Sequence, residues 1–158
     1  MTLRVGIVGA GNIFLRGYLP ALKATDAMRV VAVCDIDAAR AEHASRELGG
    51  ARIEASYQDL VARDDIDAVL VLTPAHTHAA ITIAALEAGR HVHCEKPMAR
   101  SLVDARRMAD AAKRADRRLM IGHTRRFDER WLAIRDQVRG GRIGEPVYIF
   151  RSEHAYNG

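Results

Sequence analysis

Apolar residues in this chain fall into short unbroken runs, set between longer stretches in which they recur every three or four positions. The short runs are residues 3–8, 30–34, 68–72, 91–94 and 119–121, with a weaker one at 52–53. They are too short for helices, and most are apolar or β-branched at consecutive positions. Strands have this pattern when both faces of a parallel sheet are covered. The stretches between them carry helix ends. A helix is predicted from near Asn12 to about Ala24. Asp37 caps one reaching Leu48, which Gly49-Gly50 stops. Thr77 caps another to Ala88, again followed by a glycine. Ser101-Leu102-Val103-Asp104 resembles a capping box, after which Leu102, Ala105, Ala109 and Ala112 share helical spacing. A last helix is expected over 127–139, with Trp131, Ile134 and Val138 on one side, and a further strand at 146–151.

Strand and helix alternating at this spacing predict an α/β fold, a Rossmann-type doubly wound parallel sheet. The sheet accounts for residues 1–122. Residues 123–158 read as a connecting helix and the first strand of a second α/β domain. One strand cannot make a domain, so the chain is expected to be cut short.

Composition narrows the class. With 158 residues, 49% apolar and 28% charged, the chain can bury a core and does not belong with disordered proteins. No apolar run approaches the roughly 18 residues that cross a membrane. The apolar N-terminal stretch is broken by Gly6, Gly9, Gly11, Asn12 and Arg16, unlike a secretory signal, so the cytoplasm is the expected location. Cys34 and Cys94 read as buried, reduced thiols. The net charge of +4 is uneven, with nine basic and four acidic residues in 114–142. Those arginines alternate with Asp128, Glu129 and Asp136, as on a solvated helix face. That argues against nucleic-acid binding.

Ligands of an open α/β sheet bind beyond the carboxyl ends of its strands. Polar and special residues follow nearly every predicted strand. After the first comes Gly9-Ala10-Gly11-Asn12-Ile13, where glycines give a tight turn and close backbone approach for a pyrophosphate. Asp35 ends the second. A carboxylate there accepts hydrogen bonds from ribose hydroxyls and repels a 2′-phosphate, so NAD is expected over NADP. Ile36 beside it reads no phosphate, and Arg40 lies one turn into the next helix. Thr73-Pro74 follows the fourth strand, with His76 and His78 close behind. His91 and His93 share a strand face, but no Cys/His quartet accompanies them, so no metal is expected. Glu95-Lys96-Pro97 follows the fifth. Lysine occurs three times against 21 arginines. Lys96 therefore suggests a need for an ammonium that can pass a proton.

Taken together, Gly9–Ile13, Thr73-Pro74 with His78, and Ala88-Gly89-Arg90-His91-Val92-His93-Cys94-Glu95-Lys96-Pro97 resemble the Gfo/Idh/MocA oxidoreductase family. Gly122–Asp128 and Gly141–Pro146 are similar to it as well. The resemblance implies an NAD-dependent dehydrogenase acting on a hydroxyl carbon of a sugar, inositol or similar polyol. It gives Lys96 a place between nicotinamide and substrate, matches Arg126 to a residue near the substrate and sets His154 at the pocket wall. By the same resemblance Gly9, Gly11, Asn12, Ile13, Asp35, Ile36, Thr73, Pro74, His78, Glu95 and Lys96 form the cofactor site. Two positions depart from the pattern. Phe14 replaces a small residue, and Ala75 stands where many members have Asn. Family members continue into a second domain that completes proton transfer, so the chain as given is expected to bind cofactor without full catalysis. A non-catalytic NAD-binding module, or a half-protein needing a partner chain, is the alternative. Self-association through residues 146–153 is also expected, because exposed strand edges pair.

Overall fold

The computed structural model describes residues 2–150. The chain divides into two compact units, one ending at Gly122 and one beginning at His123. In the first, β1 (Leu3–Val8), β2 (Met28–Cys34), β3 (Arg52–Ile53), β4 (Ala68–Val71), β5 (His91–Cys94) and β6 (Leu119–Ile121) form one sheet in the order β3-β2-β1-β4-β5-β6. All pairs are parallel. Chain order reverses between β1 and β4. Nucleotide ligands of such sheets bind beyond the strand ends at that point.

Each face of the sheet has its own core. Val5, Ile7, Val33 and Leu70 pack with Phe14, Leu22, Ala41 and Ala44 on one side. The latter come from α1 (Leu19–Lys23), the turn before it, and α2 (Ala38–Glu47). Val69, Val71, Val92 and Cys94 pack on the other side with Leu60, Ile81, Ala85, Met108 and Ala111. Those belong to α3 (Tyr57–Ala62), α4 (His78–Glu87) and α5 (Leu102–Ala115). Alanines on the inner faces let helices approach the sheet closely. Both cysteines are buried free thiols. Burial pushes the Cys94 thiol up to about 11 and raises that of Cys34, which keeps both protonated and unreactive.

Side-chain caps set the starts of α2, α3 and α5, and three expectations fail. Asp37 caps α2 by accepting from the N–H groups of Ala39 and Arg40. Ser101 accepts from Asp104 N–H at the start of α5, and Ser56 does the same for Asp59 at α3, a helix the periodicity did not reveal. Thr77 stands at the start of α4 but does not cap it. Its hydroxyl turns back to Thr73 Oγ1 (2.7 Å) and the Pro74 carbonyl (2.8 Å). Leu102 is exposed rather than inward, and the buried stripe of α5 runs through Met108 and Ala111. The helix expected from Asn12 is not regular, because residues Phe14–Tyr18 form a π-helical turn ahead of α1.

The second unit holds a short 3₁₀ turn, Thr124–Arg126, and α6 (Glu129–Arg139), capped by Asp128. The strand expected at 146–151 does not form within the described residues. Val147, Tyr148, Ile149 and Phe150 are exposed, and among the described residues no strand pairs with them to supply ladder hydrogen bonds. Ion pairs occupy much of the basic segment. Asp128 takes two hydrogen bonds from the Arg130 guanidinium, Arg135 pairs with Asp136, and Arg125 lies over the Trp131 ring.

Candidate functional site

The loop after β1 is built around a sharp turn at Gly9. Its φ is +98°, and a Cβ there would stand 2.8 Å from the Leu72 carbonyl carbon, so only glycine fits. Gly9 N–H donates to the Cys34 carbonyl (2.8 Å), which lashes the turn to the end of β2. Asp35 continues the lashing. Its Oδ2 accepts from Ala10 N–H (2.6 Å) and its Oδ1 from Asp37 N–H (2.9 Å). Asp35 thus ties the glycine loop to the start of α2, and each oxygen keeps capacity for a second donor. Sequence reasoning did not foresee this hold on the glycine loop. Ile36 is fully exposed beside it. Arg40 comes closer than its position in α2 suggested. Its Nη1 lies 3.7 Å from where a Gly11 Cβ would be, and its Nε is 3.3 Å from Asp37 Oδ2.

Beyond β4, Thr73 and Pro74 lead into α4, whose first residue is His78. His78 is almost completely buried. Its Nε2 lies 2.7 Å from the Thr73 carbonyl and its Nδ1 2.9 Å from the Pro97 carbonyl. The ring therefore sits between the loop after β4 and the loop after β5, with each ring nitrogen facing a backbone carbonyl.

The loop after β5 is Glu95-Lys96-Pro97, with a cis peptide before Pro97. The Glu95 carboxylate is buried at the strand end, a costly place for a charge without partners. It has two. Oε2 accepts from Lys96 N–H (2.9 Å), and Oε1 accepts from the Tyr18 hydroxyl (2.7 Å). His93 Nε2 is 2.7 Å from the same hydroxyl. Gly122 leaves the room this needs, since a Cβ there would meet Glu95 Oε1 at 3.1 Å. Lys96 is exposed beside this buried group.

The structure therefore brings Gly9, Gly11, Asn12, Ile13, Asp35, Ile36, Thr73, Pro74, His78, Glu95 and Lys96 to the carboxyl edge of one sheet, after β1, β2, β4 and β5. Arg126 ends the 3₁₀ turn of the second unit and is exposed. His154 lies outside the described residues. Tyr18 and the part played by His93 escaped sequence reasoning, which weighed His93 only as a metal ligand. The spacing of His93 and Glu95, on one face of a strand and its extension, was the available signal. Among the described residues no three His, Cys, Asp or Glu side chains gather in a metal-binding group, and no helix is long and apolar enough to cross a membrane. A cavity of about 630 Å³ lies at the opposite edge of the sheet, among Thr2, Met28, Gly50 and Asp65.

Residues 3–123 match the family model GFO_IDH_MocA, described as an oxidoreductase family with an NAD-binding Rossmann fold. The chain belongs to the Gfo/Idh/MocA oxidoreductase family. Within that family it is 38% identical over 151 residues to the inositol 2-dehydrogenase of Klebsiella pneumoniae, covering 94% of this chain and 45% of that one. A 3-ketoreductase from Actinomadura kijaniata, solved with NADP and TDP-benzene, superposes with a TM-score of 0.83 at 33% identity, over 89% of this chain and 43% of the other. The WlbA dehydrogenase of Chromobacterium violaceum, solved with NADH and UDP-GlcNAcA, gives 0.84 at 34% identity, over 90% and 41%. The chain thus spans less than half the length of the relatives it matches. The residues present fit the cofactor of a Gfo/Idh/MocA Rossmann domain. The position where Gly11 would carry a Cβ meets only the tip of Arg40, which leaves the loop open to a pyrophosphate.

Proposed function

We propose that this chain is the cofactor-binding half of an NAD-dependent dehydrogenase that acts on a hydroxyl carbon of a sugar, inositol or similar polyol. The observation that carries the reading is the anchored Glu95-Lys96 pair at the end of β5. It shares a sheet edge with the Gly9–Ile13 loop and Asp35. In this reading Gly9, Gly11, Asn12 and Ile13 receive the pyrophosphate, Asp35 and Ile36 face the adenosine ribose, and Thr73 and Pro74 flank the dinucleotide. His78 acts from behind by joining the two loops. A bound nicotinamide supplies hydride acceptance. The substrate hydroxyl gives up its proton through a relay that includes Lys96, and general acid–base assistance of this kind contributes about 10²–10⁴-fold. Arg126 and His154 contact substrate. NAD is preferred over NADP because the Asp35 carboxylate opposes a 2′-phosphate, although Arg40 beside the loop moderates that preference.

In this reading the 158 residues on their own bind cofactor with little or no turnover. The exposed, unpaired Val147–Phe150 segment supports pairing with a second copy. The test is titration of the chain with NADH and NADPH, followed by fluorescence, alongside Lys96→Ala. Saturable NADH binding that survives Lys96→Ala, with turnover lost in a version carrying the substrate half, is the expected result. No NADH binding at millimolar concentration, or full turnover in Lys96→Ala, would overturn it.

A further inference from the structure

Glu95 is held from two directions, and one of them passes through residues that no part of the proposed chemistry uses. The Tyr18 hydroxyl donates to Glu95 Oε1. A hydroxyl has one proton, so its 2.7 Å contact with His93 Nε2 can be a hydrogen bond only if Nε2 carries the hydrogen and donates. The direction of the chain is thereby fixed, from His93 Nε2–H to the Tyr18 oxygen and from the Tyr18 O–H to Glu95. The other Glu95 oxygen takes Lys96 N–H. Three side chains and one backbone amide thus end on the residue proposed to move the proton.

We propose that Tyr18 and His93 are positioning residues, which hold the Glu95 carboxylate in the orientation that receives Lys96 N–H and so set the turn from which the Lys96 side chain projects. The inference rests on the reading of Lys96 given above. The surroundings favour a fixed role. In register with His93 stand Leu70 on β4 and Met120 on β6, both apolar. The titratable groups around His93 are Tyr18 from the helical segment, Glu95 at the end of its own strand and His91 two residues back on the same strand face. Burial keeps the His93 imidazole below its ordinary value, and Glu95 pulls weakly the other way, so the ring is neutral at physiological pH. Burial, with the Glu95 carboxylate next, raises the Tyr18 phenol, so it stays a donor.

The chain carries three lysines, Lys23, Lys96 and Lys113, which makes Lys96 accessible to observation. Reductive methylation with ¹³C-formaldehyde gives each lysine one resonance, assigned with Lys96→Arg. The series is wild type, Tyr18→Phe, His93→Leu and His93→Gln, all in the full chain at one pH. Glutamine keeps an N–H donor near the position of the ring nitrogen. The expected result is a shift of the Lys96 resonance in Tyr18→Phe and His93→Leu and its return toward wild type in His93→Gln, with Lys23 and Lys113 unmoved. An unmoved Lys96 resonance in Tyr18→Phe, which removes one oxygen and keeps the ring, would overturn the proposal. A shift in His93→Gln as large as in His93→Leu would also overturn it, since packing alone would then be responsible. NADH titration of the unlabelled wild type is read separately, so failure of the cofactor reading and failure of this one stay distinct.

Discussion

Replacing Asp35 with alanine should weaken the glycine loop and change which cofactor the site prefers, and the two effects have separate causes. The first is loss of an acceptor inside the protein. Ala10 is buried, and its N–H has the Asp35 carboxylate as partner at 2.6 Å. Leaving such a donor unpaired costs about 1–3 kcal/mol. The second donor, Asp37 N–H, is exposed, and water replaces the carboxylate there at little cost. A net loss of about 2 kcal/mol in a unit of this size lowers Tm by roughly 8 °C. The other effect is charge. A carboxylate and a 2′-phosphate about 4 Å apart repel by about 4 kcal/mol per unit charge at an effective dielectric near 20, and solvent screens part of that. Even a third of it, about 1.4 kcal/mol, is a tenfold change in relative affinity. Asp35→Ala is therefore expected to melt earlier and to shift the NADPH-to-NADH affinity ratio upward by about tenfold or more. Asp35→Asn should shift the ratio similarly and melt between the two, because its amide oxygen can still accept from one donor. Thermal melting by circular dichroism and calorimetric titration with both cofactors measure the two effects. A wild-type Tm together with an unchanged affinity ratio in Asp35→Ala would refute both halves of the reasoning.

Gly9→Ala should destabilise the first unit by about 2–5 kcal/mol, the sum of a left-handed backbone strain of about 1–2 and a clash with the Leu72 carbonyl of about 1–3. Urea unfolding measures it, and a midpoint equal to wild type would show that the turn relaxes freely. At the opposite sheet edge, Asp67 accepts from Arg4 N–H (2.8 Å), Nε (3.1 Å) and Nη2 (2.7 Å), and the Arg4 guanidinium holds its carboxyl down at about 2. A depressed carboxylate contributes stability above its unfolded value near 3.9 and loses it as pH falls toward about 2. Asp67→Asn should accordingly be less stable than wild type at pH 7, with the gap closing between about pH 4 and pH 2. A gap of constant size across that window would count against the pairing.

What the sequence made legible was the part decided by local rules. Six strands, the caps at Asp37 and Ser101, and the turn at Gly9 each follow from residues within a few positions of one another. Where local and tertiary demands competed, the reading failed. Thr77 had the chemistry of a cap, but the nearby Thr73 and Pro74 offered its hydroxyl better partners. Leu102 fitted helical spacing, but it is exposed, and the first fully buried side chain of α5 is Met108. Residues 147–150 had strand composition, but a strand needs a neighbour. At the candidate site, the residues that would face a ligand were recognised from position relative to strand ends. Those that act from behind were not, because Tyr18, His93 and Glu95 meet only after β1, β5 and the helical segment are assembled, and the two ends of that network are 77 positions apart.

Phe14 connects the departure from the family pattern to that hidden network. A small residue at this place lets the first helix lie close against the first strand. Phe14 is fully buried there, within the core beside Val5 and Ile7. β1 is paired on both sides, with β2 and β4. The helical segment that starts at this residue, Phe14–Tyr18, is a π turn. Inserting one residue into a helical turn rotates everything after it by roughly 100° about the axis. Single π turns of this kind recur where a side chain must be aimed. Here the side chain at the end of the turn is Tyr18, whose ring meets His93 edge-on at 5.7 Å and whose hydroxyl reaches Glu95. The glycine loop keeps its turn at Gly9, and the π turn that begins at Phe14 ends on Tyr18, whose hydroxyl meets the buried carboxylate next to Lys96.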